Sequence, residues 1–481
     1  MYDGRFQTLD AVIAFYAAGD FDNKLATFAH KGGIQRPHHL AAKVAKSSIS
    51  DESSARLICL SLNSRSGQNW RKINTNSRGV IRMTDEEWRS RASQVIPGGM
   101  YGHMSTRALP DGYPQFFRAA DGCRLTDVDG NEYIDFMCSY GPMIAGYGHP
   151  EIQAAANQQR RNYDIGNGPS KEIVLLAETL TGQVSHAEWA IFAKNGNDAT
   201  TICNMVARAK TGRRKILLAS GAYHGAQPWA ARRTKGTPEE DYVHFPTYEF
   251  NNIASVVDAA ERVRGDLAGI MVSAFKHDAG QPQALTDPEF AMTVRKICDD
   301  HDAALILDDV RAGMRLSLDA SWTEYGVQVD LSAWGKCIGN GEPIAAVLGS
   351  DPWREAASRT FVTGSFWYQS APMASALVTL KVLNEANAPD YIEMVGQQFR
   401  DGLWEIAQRH GHGLSQSGPA QMPTVMFDGD TRFEKGNRFC QLALSQGVYL
   451  HPWHNMFLSL AHDESVISES LDRLDKAMGQ L

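Results

Sequence analysis

The sequence predicts an α/β protein with a large domain built on a mostly parallel central sheet and a smaller α+β domain. Three observations support this prediction. Residues 151–370 alternate helical patterns with short apolar runs, as doubly wound sheets do. The run Leu305–Leu307 has the length and composition of a buried parallel strand. With 481 residues, the chain exceeds one ordinary core, so a second domain is expected.

Composition and charge exclude several classes of protein. The chain is 43% apolar and 21% charged, as soluble globular proteins are. Its net charge of −8 argues against a nucleic-acid or anionic-membrane partner. No apolar run approaches the roughly 18 residues that a membrane-spanning helix needs, and the N-terminus lacks a signal-peptide pattern. The seven cysteines have no metal-ligand spacing, so we expect reduced thiols, a cytoplasmic protein and no metal site.

Residues 1–80 are predicted to be an N-terminal extension. Residues 63–78 are rich in Ser, Asn and Arg, which is typical of a linker. The segment Asp3–Leu9 resembles part of the C-terminal tail of bacterial di-haem cytochrome c peroxidases, a resemblance that covers about the first 65 residues. No CxxCH haem-attachment site occurs in the sequence, so the resemblance implies a fused remnant without peroxidase activity. An ordinary helical extension is the alternative.

A second unit begins at Thr84. The spacing of Thr84 and Glu87 is that of a capping box and predicts a helix to about residue 95. Three short strands are predicted between residues 116 and 136, joined by Asp-Gly and Asp-Gly-Asn turns.

The most informative feature is a strand that ends in acidic residues and is followed by a lysine in a glycine-flanked loop. Asp308 and Asp309 end the strand at Leu305–Leu307, where ligands bind in open α/β sheets. Lys336 follows Gly335 further along the chain. Such a pair suits a pyridoxal phosphate enzyme, in which the lysine forms a Schiff base and the aspartate keeps the pyridine nitrogen protonated. Alone, the aspartate could equally cap a helix and the lysine could be solvated.

A second candidate ligand site is the turn that joins the predicted strand 189–193 to a helix. A glycine-containing turn of this kind directs free backbone N–H groups and the helix dipole toward an anion. Gly196 and Asn197 are therefore candidate ligands of a cofactor phosphate. An ordinary strand-to-helix turn is the alternative.

Several motifs follow one another in the second unit: Val95-Ile96-Pro97-Gly98-Gly99, Asp127–Asp135, Ser139–Ile144 and Gly148-His149-Pro150. With these motifs in the same order, the chain from about residue 84 to the C-terminus resembles the class III aminotransferases of pyridoxal phosphate fold type I, in the glutamate-1-semialdehyde 2,1-aminomutase branch. The resemblance implies a large pyridoxal phosphate-binding domain at 151–370. It also implies a small domain assembled from both chain ends, 84–150 and 371–481.

The resemblance also implies roles for single residues around the cofactor. It implies that Lys336 is the Schiff-base lysine, that Asp308 faces the pyridinium nitrogen and that Val310 lies beneath the ring. Tyr223 and His224 occupy the family's aromatic-His-Gly turn, which implies that they contact the cofactor and that Tyr223 stacks on the ring.

The chain departs from the family pattern at two of these positions. Asn197 stands where relatives usually carry a Thr hydroxyl, and Asp309 is one methylene shorter than the usual Glu. Further on, Thr363 or Ser365 corresponds to the residue that contacts the cofactor phosphate of a second subunit. The resemblance thus implies a homodimer with sites at its interface; a polar surface loop is the alternative.

Arg107 and Tyr140 are candidate substrate contacts. Arg107 lies two positions beyond the arginine with which aminomutases of this branch hold a carboxylate, so a solvated loop residue is the alternative. These departures favour an aminotransferase that moves an amino group between an amine or amino acid and a keto acid, aldehyde or ketone. An intramolecular aminomutase and a non-enzymatic cofactor-binding protein are the other two hypotheses.

Overall fold

A computed structural model describes residues 83–105, 107–231 and 234–481. The peroxidase-like segment and the predicted linker lie outside the described residues. The helices are α1 (Asp85–Val95), α2 (Pro150–Asn162), α3 (Glu172–Gln183), α4 (Gly196–Thr211), α5 (Glu239–Tyr242), α6 (Ile253–Arg262), α7 (Pro288–Asp300), α8 (Arg354–Arg359), α9 (Ser370–Glu385), α10 (Ala388–Arg409), α11 (Glu434–Ser445) and α12 (Glu464–Met478).

The strands form a large sheet, a four-stranded sheet and two small hairpin-like pairs. They are β1 (Phe117–Asp121), β2 (Arg124–Asp127), β3 (Glu132–Asp135), β4 (Trp189–Ala193), β5 (Lys215–Ala219), β6 (Thr247–Tyr248), β7 (Leu267–Ser273), β8 (Phe275–Lys276), β9 (Ala284–Leu285), β10 (Ala304–Asp308), β11 (Leu331–Trp334), β12 (Ala345–Gly349), β13 (Leu414–Ser417), β14 (Thr424–Phe427) and β15 (Val448–Tyr449).

The large sheet has the strand order β4-β12-β11-β10-β7-β5-β6. The contacts of β10 with β11 and β7, and of β5 with β7 and β6, are parallel. Among the described strands of this sheet, β12 alone runs antiparallel to both of its neighbours, β11 and β4. This mostly parallel sheet, with helices packed on it, confirms the predicted α/β fold.

Strand β10 shows why this sheet is buried on both faces. Leu305 and Leu307 pack into one hydrophobic core, while Ala304 and Ile306 pack into another. Because successive side chains of a strand point to opposite faces, a run without polar residues requires cover on both sides. Helix α4 contributes to the second core, which places its N-terminus at the edge of the sheet where β10 ends.

The four-stranded sheet joins segments from distant parts of the chain. Its order is β1-β2-β3-β15, and β15 pairs in parallel with β3. The predicted capping box is confirmed, since Glu87 N–H donates to Thr84 Oγ1 at 3.3 Å and Thr84 N–H donates to the Glu87 carboxylate at 2.8 Å. The described helices include none that is both long and apolar enough to cross a bilayer.

The sequence prediction does not include β12 or the 22-residue helix α10. The run at β12 is apolar and short, and composition does not distinguish a parallel strand from an antiparallel one. Helix α10 carries polar residues on its outer face, and its buried positions lie against α12 and β13, contacts that a local pattern does not reveal.

Candidate active site

Lys336 and Asp308 line the same cleft. The cleft has a volume of about 330 Å³ and lies at the ends of β10 and β11 and at the start of α4. Its lining residues are Pro142, Lys194, Asn195, Gly196, Asn197, Thr200, Tyr223, His224, Gly225, His277, Asp308, Val310, Arg311, Lys336, Gly341, Glu342, Pro343 and Ile344. The structure thus brings together the two residues on which the sequence interpretation depends.

Asp308 is the last residue of β10, and its carboxylate is held from two sides. Oδ2 lies 2.7 Å from Nδ1 of His224, and Oδ1 accepts the backbone N–H of Val310 at 3.1 Å. Both Asp308 and His224 are buried. Two partners fix the orientation of the carboxylate before any ligand binds, which is the role that outer hydrogen-bond partners usually have at a reactive centre.

Lys336 directs its amine to a backbone carbonyl. Nζ donates to Tyr140 O at 2.7 Å. Burial, with a smaller contribution from the Arg311 guanidinium, lowers the pKa of Lys336 to about 8. An amine with this pKa is partly unprotonated near neutral pH, and the unprotonated form is the one that can act as a nucleophile or as a base.

The carbonyl that accepts this hydrogen bond lies in a strained turn. Cys138, Ser139 and Tyr140 have φ values of 46°, 56° and 62°, a left-handed conformation that costs roughly 1 kcal/mol or more for each residue that is not glycine. Arg315 donates to Gly141 O at 2.7 Å and holds the end of the turn. Lys336 itself has a φ of 42°. Strained backbone therefore lies on both sides of the contact.

The start of α4 forms an anion-binding turn beside Val310. The first N–H groups of a helix lack partners within the helix, and here they belong to Gly196 and Asn197. A Cβ atom at Gly196 would lie 2.6 Å from Val310 Cγ1, so only glycine fits against this side chain. The close approach places the turn and Val310 at one end of the same cleft.

A hydrogen bond to Asn197 links this turn to the segment that contains His224. Asn197 Oδ1 accepts the backbone N–H of Ala226 at 3.0 Å, and Thr200 Oγ1 donates to His224 O at 3.0 Å. The side-chain amide of Asn197 thus stabilises the backbone near His224. The exposed fraction of Tyr223 is 52%, and its side chain lines the cleft, where a flat ring could stack on it.

Four features of the cleft fit pyridoxal phosphate. They are the free N–H groups of the turn at Gly196, the buried amine of Lys336, the oriented carboxylate of Asp308 and the exposed ring of Tyr223. A phosphate suits the first, an aldehyde the second and a ring nitrogen the third. The described residues contain no group of three or more His, Cys, Asp or Glu that could hold a metal ion.

Asp309 lies outside the cleft. It is buried, and its carboxylate accepts the Ser321 hydroxyl at 2.6 Å and the Ser321 N–H at 2.9 Å. Burial raises the pKa of Asp309 to about 7. The Asp309 side chain therefore stabilises the segment that contains Ser321 and does not contact the cleft.

The remaining predicted residues do not line the cleft with their side chains. Arg107 is exposed in a turn, and Thr363 and Ser365 are exposed in the segment between α8 and α9. Tyr140 contributes its carbonyl to Lys336, and its ring stacks on His103 with centroids 4.4 Å apart. Roles for Arg107, Thr363 and Ser365 stay predictions.

The sequence prediction missed two residues that line the cleft, Arg311 and His277. It also missed three residues near the C-terminus that lie close to the cleft: His451, His454 and Asn455. Arg311 directly follows Val310, so the predicted strand end could have indicated it. The C-terminal residues gave no such signal, because they follow β15 and approach Tyr140 and Arg311 only through the fold.

Comparisons with known proteins show the family of the chain. The family model "Aminotransferase class-III" matches residues 109–480. An aminopentol aminotransferase of Sphingopyxis macrogoltabida is 49% identical over 392 residues, which cover 82% of this chain and 93% of that protein. A 3-aminobutyryl-CoA aminotransferase of Cloacimonas acidaminovorans (strain Evry) is 30% identical over 397 residues, covering 81% and 95%.

A solved structure is also similar, that of the PLP internal aldimine form of the Sphingopyxis sp. MTA144 FumI protein. It is 48% identical, with a TM-score of 0.81, and the match covers 82% of this chain and 96% of that one. The chain therefore belongs to the class III aminotransferases, and it is a pyridoxal phosphate-dependent enzyme that transfers an amino group.

Proposed function

We propose that Lys336 anchors pyridoxal phosphate, that Asp308 faces its ring nitrogen and that the turn at Gly196 and Asn197 takes its phosphate. The observation that carries this proposal is the shared cleft of Lys336 and Asp308. When bound, the cofactor supplies an aldehyde that exchanges amines and a ring that withdraws electrons from the carbon bearing the amine. Val310 and Tyr223 would hold the ring from its two faces.

The residues of this chain would then position and move protons. Asp308, fixed by His224 and the Val310 N–H, keeps a positive charge favourable at the atom it faces. The Lys336 amine, with a pKa near 8, can accept a proton from a substrate carbon and return it to a neighbouring atom. Tyr140 O accepts a hydrogen bond from the Lys336 amine when the amine is not bonded to the cofactor.

We infer that the amino donor is a primary amine whose amine-bearing carbon carries no carboxylate. The names of both curated relatives support this class, since one describes an amine of a pentol and the other a 3-amino acyl thioester. The aromatic residues around Tyr140, whose carbonyl contacts Lys336, also support this donor class. His103 stacks on Tyr140, and His454 meets Tyr140 edge-on at 5.3 Å.

These histidines are neutral at ordinary pH. Burial lowers the pKa of His454 to about 2 and that of His451 to about 4, and it also lowers the pKa of His103. Neutral imidazoles and a tyrosine donate and accept hydrogen bonds without attracting a carboxylate, so they suit hydroxyl or carbonyl groups of a donor.

The donor class is tested by mixing the holoenzyme with 3-amino-2-butanol and recording the visible absorption of the bound cofactor. We expect conversion to the amine form of the cofactor, and no change with the N,N-dimethyl analogue, which cannot exchange its amine. If only α-amino acids convert the cofactor, the proposed donor class is wrong.

We infer that transfer occurs between two molecules. Both curated relatives are named aminotransferases. The aminomutase-like motifs of the sequence leave intramolecular transfer as the alternative, and it predicts turnover of a single amino aldehyde without any keto acid. Turnover of glutamate-1-semialdehyde under those conditions would favour the aminomutase.

We also propose that the active unit is a homodimer. Phe361, Phe366 and Tyr368 are exposed beside Thr363 and Ser365, and exposed aromatic clusters commonly mark interfaces. Light scattering should give twice the chain mass. In a dimer, Thr363→Ala or Ser365→Ala should weaken cofactor binding, and the variant with the larger effect identifies the phosphate contact.

The domain division stays part of this proposal, with the small domain formed by 84–150 and 371–481 and the large domain by 151–370. Pairing of β15 with β3 supports it. We also propose a cytoplasmic location, because the six described cysteines are buried free thiols, which suit a reducing compartment. Cell fractionation tests this.

A further inference from the structure

His451 and His454 follow β15 and pack around Tyr140, beside the proposed cofactor anchor. Their ring centres lie 6.5 Å and 5.3 Å from the centre of the Tyr140 ring. The carbonyl of the same tyrosine accepts the hydrogen bond of Lys336 Nζ at 2.7 Å. Both histidines are only 7% exposed. Tyr140 therefore contacts both the Lys336 amine and two nearly enclosed imidazoles.

The backbone fixes the tautomer of His451. Its Nδ1 lies 3.4 Å from the backbone nitrogen of Trp453 and 3.2 Å from that of His454, and both of these N–H groups donate to it. Nδ1 must therefore be unprotonated. Burial lowers the pKa of His451 to about 4, so the ring is neutral near pH 7 and its single proton lies on Nε2. The Nε2–H group of His451 is thus a hydrogen-bond donor.

The backbone fixes the opposite tautomer of His454. Its Nδ1 lies 2.7 Å from the carbonyl oxygen of Asn455. A carbonyl oxygen only accepts hydrogen bonds, so Nδ1 carries the proton. Burial lowers the pKa of His454 to about 2, and the neutral ring has no second proton. Nε2 of His454 is thus a hydrogen-bond acceptor.

The two Nε2 atoms are unpartnered within the part of the chain that the structure describes. Neither is sealed inside the protein, in contrast to Nε2 of His224, which is fully enclosed. The ring centres of His451 and His454 lie 5.8 Å apart. One oxygen atom can span this separation, because hydrogen bonds of about 2.8 Å extend to either side of it. Nearly enclosed polar atoms without partners cost free energy, so an atom that pairs with both is favoured there.

We propose that His451 and His454 together bind one hydroxyl group of the amino donor, which makes the enzyme selective for amino alcohols over simple amines. The hydroxyl oxygen accepts from Nε2–H of His451, and its proton is donated to Nε2 of His454. A ketone or carboxylate oxygen has no proton for His454, and an ammonium group has no lone pair for His451. This inference rests on the proposed function, because it assigns part of the donor of the same site.

The test measures the donor half-reaction of the holoenzyme from the loss of visible absorption of the aldehyde form of the cofactor. Three donors differ at one carbon: 2-aminobutane has no oxygen there, 3-amino-2-butanol has a hydroxyl and 3-methoxy-2-butanamine has an ether. For wild type, we expect the second-order rate constant of the alcohol to exceed that of 2-aminobutane by about tenfold or more. The pair 4-amino-2-pentanol and 2-aminopentane repeats the comparison with the hydroxyl one carbon further from the amine.

His454→Asn removes the acceptor and keeps the backbone contact, since the shorter amide can still donate to Asn455 O. The rate constant of the preferred alcohol should fall about tenfold. Those of the simple amine and the ether should change by less than about threefold, because neither has a proton for position 454. His454→Gln, whose longer side chain returns an acceptor near Nε2, should recover part of the loss.

His451→Asn removes the donor instead. Its amide oxygen can still accept the backbone N–H groups that Nδ1 accepts in wild type. The ether oxygen can accept from His451, so the ether and the alcohol should both slow in this variant while the simple amine does not. His410→Asn is the matched control: His410 follows α10, its Nε2 lies 2.8 Å from Asp475, and the variant should match wild type with every donor.

Three outcomes would overturn the assignment. Neither alcohol may outpace its simple amine in wild type, which would mean that no hydroxyl is recognised. Equal losses with alcohols and simple amines in both variants would mean that the histidines serve packing alone. Unchanged alcohol rates in both variants would place the hydroxyl elsewhere. Failure of the proposed donor class is distinct from these, since it appears as a lack of conversion by simple amines and alcohols alike in wild type.

Discussion

Nδ1 of His224 lies 2.7 Å from Oδ2 of Asp308, and both side chains are buried at the end of β10. His224 Nε2 has no hydrogen-bond partner in the described chain. The His224 imidazole thus makes its side-chain hydrogen bond in the described chain to the Asp308 carboxylate. This contact joins the turn after β5 to the end of β10, at the point where we propose that the cofactor ring lies.

Replacing His224 should slow transfer without releasing the cofactor. His224→Phe removes a hydrogen bond to a charged group, an interaction of roughly 1.5–3 kcal/mol, so kcat should fall about 10- to 100-fold. His224→Gln, which can still donate to Asp308, should recover part of this loss. Single-turnover rates with an amine donor and the absorption spectrum of the bound cofactor measure both effects. Equal kcat in His224→Phe and wild type would contradict the positioning role.

Asp308→Asn should have a larger effect than either His224 variant. It removes the charge that we propose faces the ring nitrogen, and loss of one such electrostatic contact typically costs about 100-fold or more in kcat. The cofactor should remain attached, because Lys336 is unchanged. A variant that loses the cofactor but transfers normally when saturated with it would show that Asp308 acts only in binding.

A side chain at Gly196 should weaken cofactor binding. The added Cβ of Gly196→Ala would lie 2.6 Å from Val310 Cγ1, and overpacking of this kind costs about 1–3 kcal/mol. The double variant Gly196→Ala/Val310→Ala removes the clashing methyl groups, so it should bind more tightly than the sum of the two single effects predicts. Titration of the apoenzyme with pyridoxal phosphate gives the dissociation constants. Strict additivity would contradict the contact.

Asp309→Asn should change the pH dependence of stability. Burial raises the pKa of Asp309 to about 7 in the folded chain, against about 3.9 when unfolded. Between these values the folded state holds the extra proton, so this carboxyl makes the free energy of unfolding fall as pH rises from about 4 to 7. An asparagine can still accept from Ser321 N–H and donate to its hydroxyl, and it does not titrate.

We therefore expect Asp309→Asn to be more stable than wild type at pH 8, with the difference shrinking as pH falls from about 7 and lost at about pH 4. Urea denaturation at both pH values measures it. A stability difference that is independent of pH would contradict the raised pKa.

Much of the site follows from local sequence. Asp308 and Lys336 could be predicted because each lies at or just after the end of a buried apolar strand, and the ends of neighbouring parallel strands meet at one edge of a sheet. Gly196 could be predicted because a strand leads into a helix there. The close approach of Gly196 to Val310, where an added Cβ would lie 2.6 Å from Val310 Cγ1, is found only in the fold.

The rest depends on contacts between distant segments. His454 and Asn455 follow β15 and approach Tyr140 and Arg311 from more than 140 residues away. Tyr140 contributes a carbonyl from a left-handed turn, and side-chain chemistry gives no indication of this. The antiparallel direction of β12 arises from sheet pairing rather than from its own composition.

Borohydride reduction of the holoenzyme, followed by peptide mapping, shows most directly whether Lys336 carries the cofactor. Reduction makes the lysine–cofactor bond permanent. We predict that the added mass appears on Lys336 and that Lys336→Ala shows no reducible adduct. Labelling of a different lysine in wild type, or a reducible adduct that persists in Lys336→Ala, would contradict the account.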